Sequence, residues 1–153
     1  MTEALVFRDA VEADLPVVLR LLADDDLGRA REDLSEPLNA AYRAAFEAIT
    51  VDPNQRLVVA ERGGGVIGTL QLSFLPGLSH QGAWRAQIEA VRVDSALRGQ
   101  GLGRQMIDWA VEVARTRGCR MVQLTSNASR SDAHRFYEGL GFAKSHAGFK
   151  RVL

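Results

Sequence analysis

Glycines at positions 99, 101 and 103 stand directly after a β-branched run and before a helical apolar pattern. Residues 91–104 therefore predict a strand, a glycine-rich loop and the first turn of a helix. Glycines let backbone N–H groups converge without obstruction by Cβ atoms, and a helix N-terminus adds partial positive charge. Such a loop is suited to bind phosphate, and we expect a ligand that carries a pyrophosphate. The alternative is a turn that serves packing alone.

The spacing of these glycines disfavours two common phosphate-binding motifs. A dinucleotide-binding fold needs Gly-x-Gly-x-x-Gly early in the chain, and a P-loop needs Gly-Lys-Ser/Thr after its glycines. Arg98, Gly101 and Gly103 instead fill the pattern Arg/Gln-x-x-Gly-x-Gly/Ala. This pattern resembles the acetyl-CoA loop of the GNAT (N-acetyltransferase) superfamily, which cradles the pyrophosphate of coenzyme A.

A second motif lies near the C-terminal end. Residues 133–142 read Ala-His-Arg-Phe-Tyr-Glu-Gly-Leu-Gly-Phe and resemble the Ala-x-x-Phe-Tyr-x-x-x-Gly-Phe pattern of the superfamily's last helix. By the two motifs in this order, the chain is identified as a member of the GNAT superfamily over nearly its whole length. Residues 132–136, followed by Ser145 and His146, also resemble the aminoalkylphosphonate acetyltransferase branch, over the C-terminal quarter alone.

Acetyl transfer from a thioester to an amine needs a neutral amine, a donor for the developing oxyanion and a proton for the leaving thiolate. The resemblance implies Tyr137 as the acid, and a phenol, with an ordinary pKa of about 10, is protonated at neutral pH. It implies Glu89 as the base, because many relatives carry a glutamate four residues before the position of Val93. The alternatives are a core aromatic for Tyr137, as we expect for Phe136, and an outward-facing charge for Glu89.

The resemblance also implies which residues contact the cosubstrate acetyl-CoA. Its pantetheine arm is expected along the strand at Val91, Arg92 and Val93, where backbone groups pair with its amides and a main-chain N–H faces the thioester oxygen. Asn127 matches a polar position that contacts the coenzyme in relatives, and a turn-forming asparagine explains it equally well. The expected loop contacts are Arg98, Gly99, Gln100, Gly101, Leu102, Gly103 and Arg104.

We expect the acceptor to be the primary amine of a small molecule, which attacks directly without a covalent enzyme intermediate. In the superfamily, acceptor pockets are formed by segments that correspond here to residues 24–37 and 75–87. Six acidic residues in the first segment favour a cationic acceptor, whereas the phosphonate-branch resemblance favours an anionic acceptor held by an arginine such as Arg85. Acetylation of a protein N-terminus or lysine, and a coenzyme A-binding sensor without turnover, are the alternative functions.

The composition limits other classes of function. Nineteen basic and nineteen acidic residues cancel, which argues against non-specific binding to nucleic acid or membrane surfaces. The chain has one cysteine, Cys119, which excludes an internal disulfide, and we expect it to be a buried thiol. The three histidines are dispersed and lack metal-ligand spacing, so we expect no metal. The first residues lack a signal-peptide pattern and no apolar run reaches the ~18 residues of a membrane span, so we expect a cytoplasmic protein. By analogy with the superfamily, we also expect the protein to form a homodimer.

Hydrophobic periodicity and turn residues predict one α/β domain over residues 1–153, with the order βααβββαβαβ. The resemblance implies a central mixed sheet, mostly antiparallel, of six or seven strands flanked by four helices. The predicted strands cover residues 4–8, 56–61, 66–75, 84–93 and 121–125, with one or two more in 142–152. The predicted helices cover residues 38–49, 101–117 and 131–140, after a first helix that begins near Asp14.

Overall fold

A computed structural model describes residues 3–153 and contains one five-stranded sheet. The strands lie side by side in chain order: β1 (Val6–Asp9), β2 (Gln55–Arg62), β3 (Gly65–Leu75), β4 (Arg85–Val93) and β5 (Met121–Leu124). The strands β1 to β4 pair with one another antiparallel, and β5 runs parallel to β4. The predicted mixed, mostly antiparallel sheet is thus confirmed.

The helical segments, in chain order, are α1 (Leu15–Leu22), α2 (Asp26–Arg31), α3 (Ala40–Val51), α4 (Ser79–Gly82), α5 (Leu102–Thr116) and α6 (Ser131–Gly139). The four predicted helices correspond to α1, α3, α5 and α6. The helix α2 was not predicted, because six residues are too few to display a helical period. The segment α4 is a single turn inside the predicted loop, with positive φ at His80 and Gln81. Within residues 3–153, no helix combines the length and apolar character needed to cross a bilayer.

The main core lies between α5 and one face of the central strands. Leu70, Leu72 and Phe74 of β3 are buried there against the apolar stripe of α5. Gly68 permits the close approach, since a Cβ atom at this position would lie 2.8 Å from Met106 Sδ. This packing fixes the N-terminus of α5 next to the end of β4.

The C-terminal segment differs from its prediction. Residues 142–153 form no strand in the part of the chain that the structure describes, so the predicted count of six or seven strands is wrong. Phe149 and Val152 are 95% and 96% exposed. The apolar residues that suggested strands therefore have no neighbouring surface to pack against, and polar residues with Gly148 interrupt any alternation.

An ion network attaches the start of α1 to the sheet. Arg8 of β1 donates to the Asp14 carboxylate, with Nη1 to Oδ2 at 2.7 Å, and to Glu61 of β2 at 2.7 Å. Asp14 also accepts a hydrogen bond from the Val11 N–H at 2.7 Å. The Arg8 guanidinium lowers the pKa of the Asp14 carboxyl, and burial opposes this only in part.

We expect this network to make the free energy of unfolding depend on pH below about 4. A carboxyl whose pKa is lower in the folded state stabilises the fold above its unfolded pKa of about 3.9 and loses that contribution as the pH falls further. Urea unfolding of Asp14→Asn should show a loss of roughly 1–2 kcal/mol at pH 7 and a weaker decline between pH 5 and 2.5. Asp9→Asn, at the exposed pair with Arg56, is the control. If the free energy of unfolding of Asp14→Asn falls with pH as steeply as that of the wild type, the pH dependence does not come from Asp14.

Candidate active site

The strands β4 and β5 pair only over a short length. Arg85 to Ile88 lie opposite Met121 to Leu124, and among the described residues no later part of β4 has a β5 partner. Residues 89–93 continue along β3 while the chain after β5 leaves the sheet. We call the resulting opening between residues 89–93 and 125–130 the β4–β5 wedge.

The open edge of β4 presents backbone polar groups to this wedge. Asp94 N donates to Ile67 O at 2.8 Å, and residue pairs in antiparallel strands alternate between hydrogen-bonded and non-hydrogen-bonded. The N–H of Val93 consequently points away from β3 and toward the wedge. The carbonyl of Val91 accepts a hydrogen bond from Arg92 Nη1 at 2.9 Å. The three strand residues predicted to line the pantetheine arm are thus half-buried at this edge.

The glycine loop places unused N–H donors at the end of the wedge. Gly99 and Gly101 have φ values of 81° and 74°, in the left-handed region that favours glycine. Within residues 3–153, the N–H groups of residues 99–101 donate no hydrogen bond. Gly101 precedes α5 without a side-chain cap, so the positive end of the helix faces the same space. This arrangement suits a pyrophosphate.

The side chains of the predicted loop contacts are engaged to different degrees. Gln100 Oε1 accepts from Arg62 Nη1 at 3.0 Å, and Leu102 is buried in the core. Arg104 is exposed in an ion pair with Asp108 at 3.7 Å, and Arg98 is exposed at the entrance of the loop. The oriented hydrogen-bond donors of the loop are therefore its backbone N–H groups. The guanidinium groups of Arg98 and Arg104 lie at the exposed edge of the loop.

Tyr137 of α6 is half-buried beside the wedge. Its ring contacts Phe136 and Phe142 edge-on, at centroid distances of 5.1 and 6.0 Å. Its hydroxyl is accessible and has no partner within residues 3–153. Burial raises the pKa of this phenol, and the charges of Arg92 and Arg130 offset the rise only in part. The hydroxyl therefore carries a proton at neutral pH, as an acid requires.

Phe136 does not occupy the core position that we expected. It is 38% exposed. Its ring lies over the loop instead, where a Cβ atom at Gly103 would be 3.5 Å from Phe136 Cζ. The expectation was wrong because the apolar face of α6 is turned toward the glycine loop as well as toward the sheet.

A β-bulge brings Glu89 and Arg92 to the same face of the sheet. Glu89 lies opposite Gln71, and Arg92 lies opposite Thr69. The two β3 residues are two positions apart and share a face, so their partners share it although they are three positions apart. The extra residue is accommodated at Ala90, whose φ of 51° is unusual for a residue with a Cβ atom.

Glu89 is exposed and is the first β4 residue beyond the paired region. Its Oε1 accepts a hydrogen bond from Gln87 Nε2, and Gln87 Oε1 accepts one from Gln123 Nε2 at 2.9 Å. This polar chain crosses from β5 to β4 and orients the carboxylate at the apex of the wedge. Gln87 and Gln123 were not among the residues predicted for the site, although the alternation of polar residues along β4 indicated that Gln87 and Glu89 share a face.

Asn127 occupies the turn between β5 and α6. Its Oδ1 accepts from Ser129 N at 2.9 Å and from Ser129 Oγ at 2.7 Å, and its carbonyl accepts from Arg130 N. The turn-forming role that the sequence allowed is therefore present. Contact with the coenzyme stays a prediction for this residue.

The acceptor segments are also placed by the structure. Asp25 caps α2 and contacts Arg130 and Arg92, Asp24 accepts a hydrogen bond from Ser95 N at 3.3 Å, and Asp26 and Asp33 form local contacts. Arg85, suggested as an anion ligand, lies four residues before Glu89, about 13 Å along the strand. It is therefore at the far end of the region where β4 and β5 pair.

The sequence matches the model of the acetyltransferase (GNAT) family over residues 20–142. This range covers the sheet from β2 onward, the glycine loop and Tyr137. The chain belongs to the GNAT acetyltransferase family. It is an N-acetyltransferase, as the two motifs predicted, and GNAT enzymes use acetyl-CoA as their cosubstrate and amines as their acceptors.

Several GNAT relatives match over most of their length. An aminoalkylphosphonate N-acetyltransferase from Salmonella typhimurium is 38% identical over 113 residues, which are 74% of this chain and 73% of the relative. A glucosamine 6-phosphate N-acetyltransferase from Trypanosoma brucei brucei is 30% identical over 131 residues, 81% of this chain and 87% of the relative. A crystal structure from Bacillus halodurans, described as a transcriptional regulator, is 49% identical with a TM-score of 0.94 and covers 98% of this chain and 100% of its own.

The GNAT site predicted from the sequence is concentrated at one end of β4. The strand residues border the wedge, the loop follows them directly, and Glu89 stands at the apex. Burial raises the pKa of the Tyr137 phenol, and the charge of Arg92 opposes the rise. The side chain of Arg92 itself was given no role by the sequence, because only its backbone matched the motif.

Proposed function

We propose that residues 1–153 form one domain that transfers an acetyl group from acetyl-CoA to the primary amine of a small molecule by direct attack. The observation that carries this proposal is the β4–β5 wedge, which has Glu89 at its apex and continues along β4 to the free donors of the glycine loop. A carboxylate and a protonated phenol beside one opening are the acid and base pair that this chemistry needs.

The proposed roles balance in atoms and charge. Glu89 accepts a proton from the ammonium group, and the freed nitrogen forms a bond to the thioester carbonyl carbon. The N–H of Val93, which points into the wedge, donates to the resulting oxyanion. The carbon–sulfur bond then breaks, and the Tyr137 hydroxyl gives its proton to the leaving thiolate. The nitrogen loses its second proton to solvent as the amide forms, solvent returns one proton to Tyr137 and takes the one held by Glu89, and the net products are an amide, free coenzyme A and one proton.

Thermal unfolding with and without acetyl-CoA, followed by a panel of amines with detection of free thiol, tests this function. Saturation at 100 times Kd should stabilise the fold by about 2.7 kcal/mol, and at least one small amine should release thiol. Stabilisation with release only for peptides would favour a protein acetyltransferase, and stabilisation without release for any amine would favour a sensor. No stabilisation would contradict the assignment of the loop.

A loop variant makes the binding test specific. In Gly101→Val the free loop relaxes out of the left-handed region, and binding must restore that conformation at a strain of about 1–2 kcal/mol, which should raise the Kd for acetyl-CoA roughly 5- to 30-fold. Gly65→Ala is the matched control, because Gly65 has no positive φ and its added Cβ atom would lie 3.9 Å from the Arg62 carbonyl. Equal Kd values for both variants would argue against phosphate binding by the loop.

A further inference from the structure

Residues 143–153, which follow α6, are exposed along their whole length. They run without a helix, strand, turn or bend. Within residues 3–153, their hydrogen bonds are confined to Ser145, which binds the Ala143 carbonyl and the ring of His146. A straight segment of this length spans about 30–35 Å, which is about twice the radius of gyration, about 15 Å, of a domain of this size. We call residues 143–153 the exposed segment.

The exposed segment carries side chains of a kind that is normally buried. Phe149, Val152 and Leu153 stand close together and are almost completely exposed. Large apolar side chains are among those most often found in protein interiors, and a group of exposed ones marks an interaction surface. The start of the segment is anchored, because Phe142 packs edge-on against Tyr137 and its N–H donates to the Tyr137 carbonyl at 3.1 Å.

The strand β5 has a free edge of the kind that such a segment can pair with. It is the last strand of the sheet and, among the described residues, pairs only with β4. Its sequence, Met-Val-Gln-Leu, is uncharged. The opposite edge strand β1 instead carries Arg8 and Asp9, each in an ion pair. Charged side chains protect edge strands from pairing with other chains, so β1 is protected in this way and β5 is not.

The apolar side chains beside the β5 edge are incompletely covered. Val122 and Leu124 of β5 and Leu140 of α6 pack against the core but are only half-buried, and α6 has no fully buried residue among those described. Ile88 of β4, directly opposite Leu124, is by contrast completely buried. The core is therefore closed as far as β4 and still open at β5.

The exposed segment is not suited to return to its own β5 edge or to pair with its own counterpart. A return needs a reversal of the chain soon after Phe142, and residues 143–147 contain no glycine, proline, asparagine or aspartate, which form most tight turns. The segment's charged residues, Lys144, Lys150 and Arg151, are all positive, and like charges opposite each other destabilise paired strands. The uncharged β5 edge of a second copy has neither disadvantage.

We propose that the chain forms a two-fold dimer in which the exposed segment of each copy pairs along the β5 edge of the other. Each copy carries both complementary surfaces, so one two-fold axis satisfies both and closes the assembly. An extended segment of this mass has an accessible surface of about 1,700 Å². If half of it is buried with an equal area of the receiving edge, in both copies, the interface removes about 3,400 Å², within the range of obligate homodimers. The dimer does not depend on the proposed function.

Sedimentation velocity of the full chain at micromolar concentrations tests this proposal. We expect a species of twice the chain mass of 16.7 kDa. Val152→Pro removes a backbone donor that strand pairing uses, and Phe149→Asp places a charge in an apolar contact. Each should raise the Kd of the dimer at least about 10-fold, and the double variant should be monomeric. Both side chains are exposed in the single chain, so circular dichroism should show an unchanged fold. Val51→Asp, at the exposed end of α3, is the matched control and should leave the Kd unchanged.

Disulfide trapping distinguishes exchange between copies from packing within one chain. In a Cys119→Ser background, one chain carries Met121→Cys on β5, and a coexpressed second chain carries one cysteine in the exposed segment. The segment substitutions are tested one at a time: Gly148→Cys, Phe149→Cys, Lys150→Cys, Arg151→Cys and Val152→Cys. Oxidation should give a covalent dimer for at least one of them, and Val51→Cys in place of the segment cysteine should give none. A chain that carries both cysteines should also form covalent dimers.

Three results would overturn the proposal. These are a monomer at every concentration, an unchanged dimer Kd in the double variant, and a disulfide that closes within one chain. The second would place the dimer contact on another surface, and the third would return the exposed segment to its own sheet. None of the three bears on the proposed function, which is decided by binding of acetyl-CoA and release of thiol.

Discussion

Replacement of Tyr137 by phenylalanine is expected to lower kcat about 100- to 10,000-fold, the range typical of the loss of a general acid. The thiolate then leaves without a proton donor beside it. The aromatic ring stays between Phe136 and Phe142, and the lost hydroxyl has no partner within residues 3–153, so the free energy of unfolding should change by less than about 0.5 kcal/mol. Steady-state rates of thiol release, with urea unfolding of the same sample, measure both quantities.

Tyr42 provides a matched control for this experiment. Its hydroxyl donates to Glu32 and accepts from the Asp33 N–H, so Tyr42→Phe removes two local hydrogen bonds and should affect stability more than kcat. The defect of Tyr137→Phe should also be the same for strongly and weakly basic amines, because the acid acts on sulfur and not on the acceptor. Equal kcat values for Tyr137→Phe and Tyr42→Phe would remove Tyr137 from the mechanism.

The elements around the candidate site that the sequence predicted correctly are those defined by local patterns. The β-branched run before Val93, the alternating glycines and the apolar stripe of α5 are each complete within about fifteen residues. Their order in the chain also fixes their order in space, because a strand, a tight loop and a helix in succession leave few arrangements. The predicted ends of β4 and α6 accordingly lie within one residue of those observed.

The Arg130–Asp25 contact could not be predicted in this way. The two residues are separated by 105 positions in the sequence, and no local pattern links them. The acidic run around Asp25 suggested a cationic acceptor, because composition alone does not reveal which carboxylate is already occupied by arginines. Only the packing of the folded chain brings Asp25 and Arg130 together.

The bulge at Ala90 likewise could not be predicted from the sequence, and it changes which side chains of β4 share a face. Simple alternation places residues three positions apart on opposite faces, so Glu89 and Arg92 would have been assigned to different surfaces. Alanine gives no indication of a positive φ, unlike glycine or asparagine. The common face of the carboxylate and the guanidinium therefore became evident only from the register of β3 and β4.

Replacement of Glu89 by glutamine should lower kcat/KM about 100- to 10,000-fold at neutral pH. A primary amine with a pKa near 10 is almost entirely protonated there, and without a base beside it the reactive neutral form is scarce. The amide of glutamine is nearly isosteric and can still accept from Gln87, and the residue is exposed, so the fold should be unaffected. Glu112→Gln, on the exposed side of α5, is the control for loss of a carboxylate.

The basicity of the acceptor separates this role from that of Tyr137. A β,β,β-trifluorinated amine is largely neutral at pH 7 and has little need of a base, so the defect of Glu89→Gln should shrink with it, and should also shrink as the pH approaches 10. A general base matters only while the amine holds its proton. If the defect is the same for both amines, Glu89 positions the acceptor and does not act as the base.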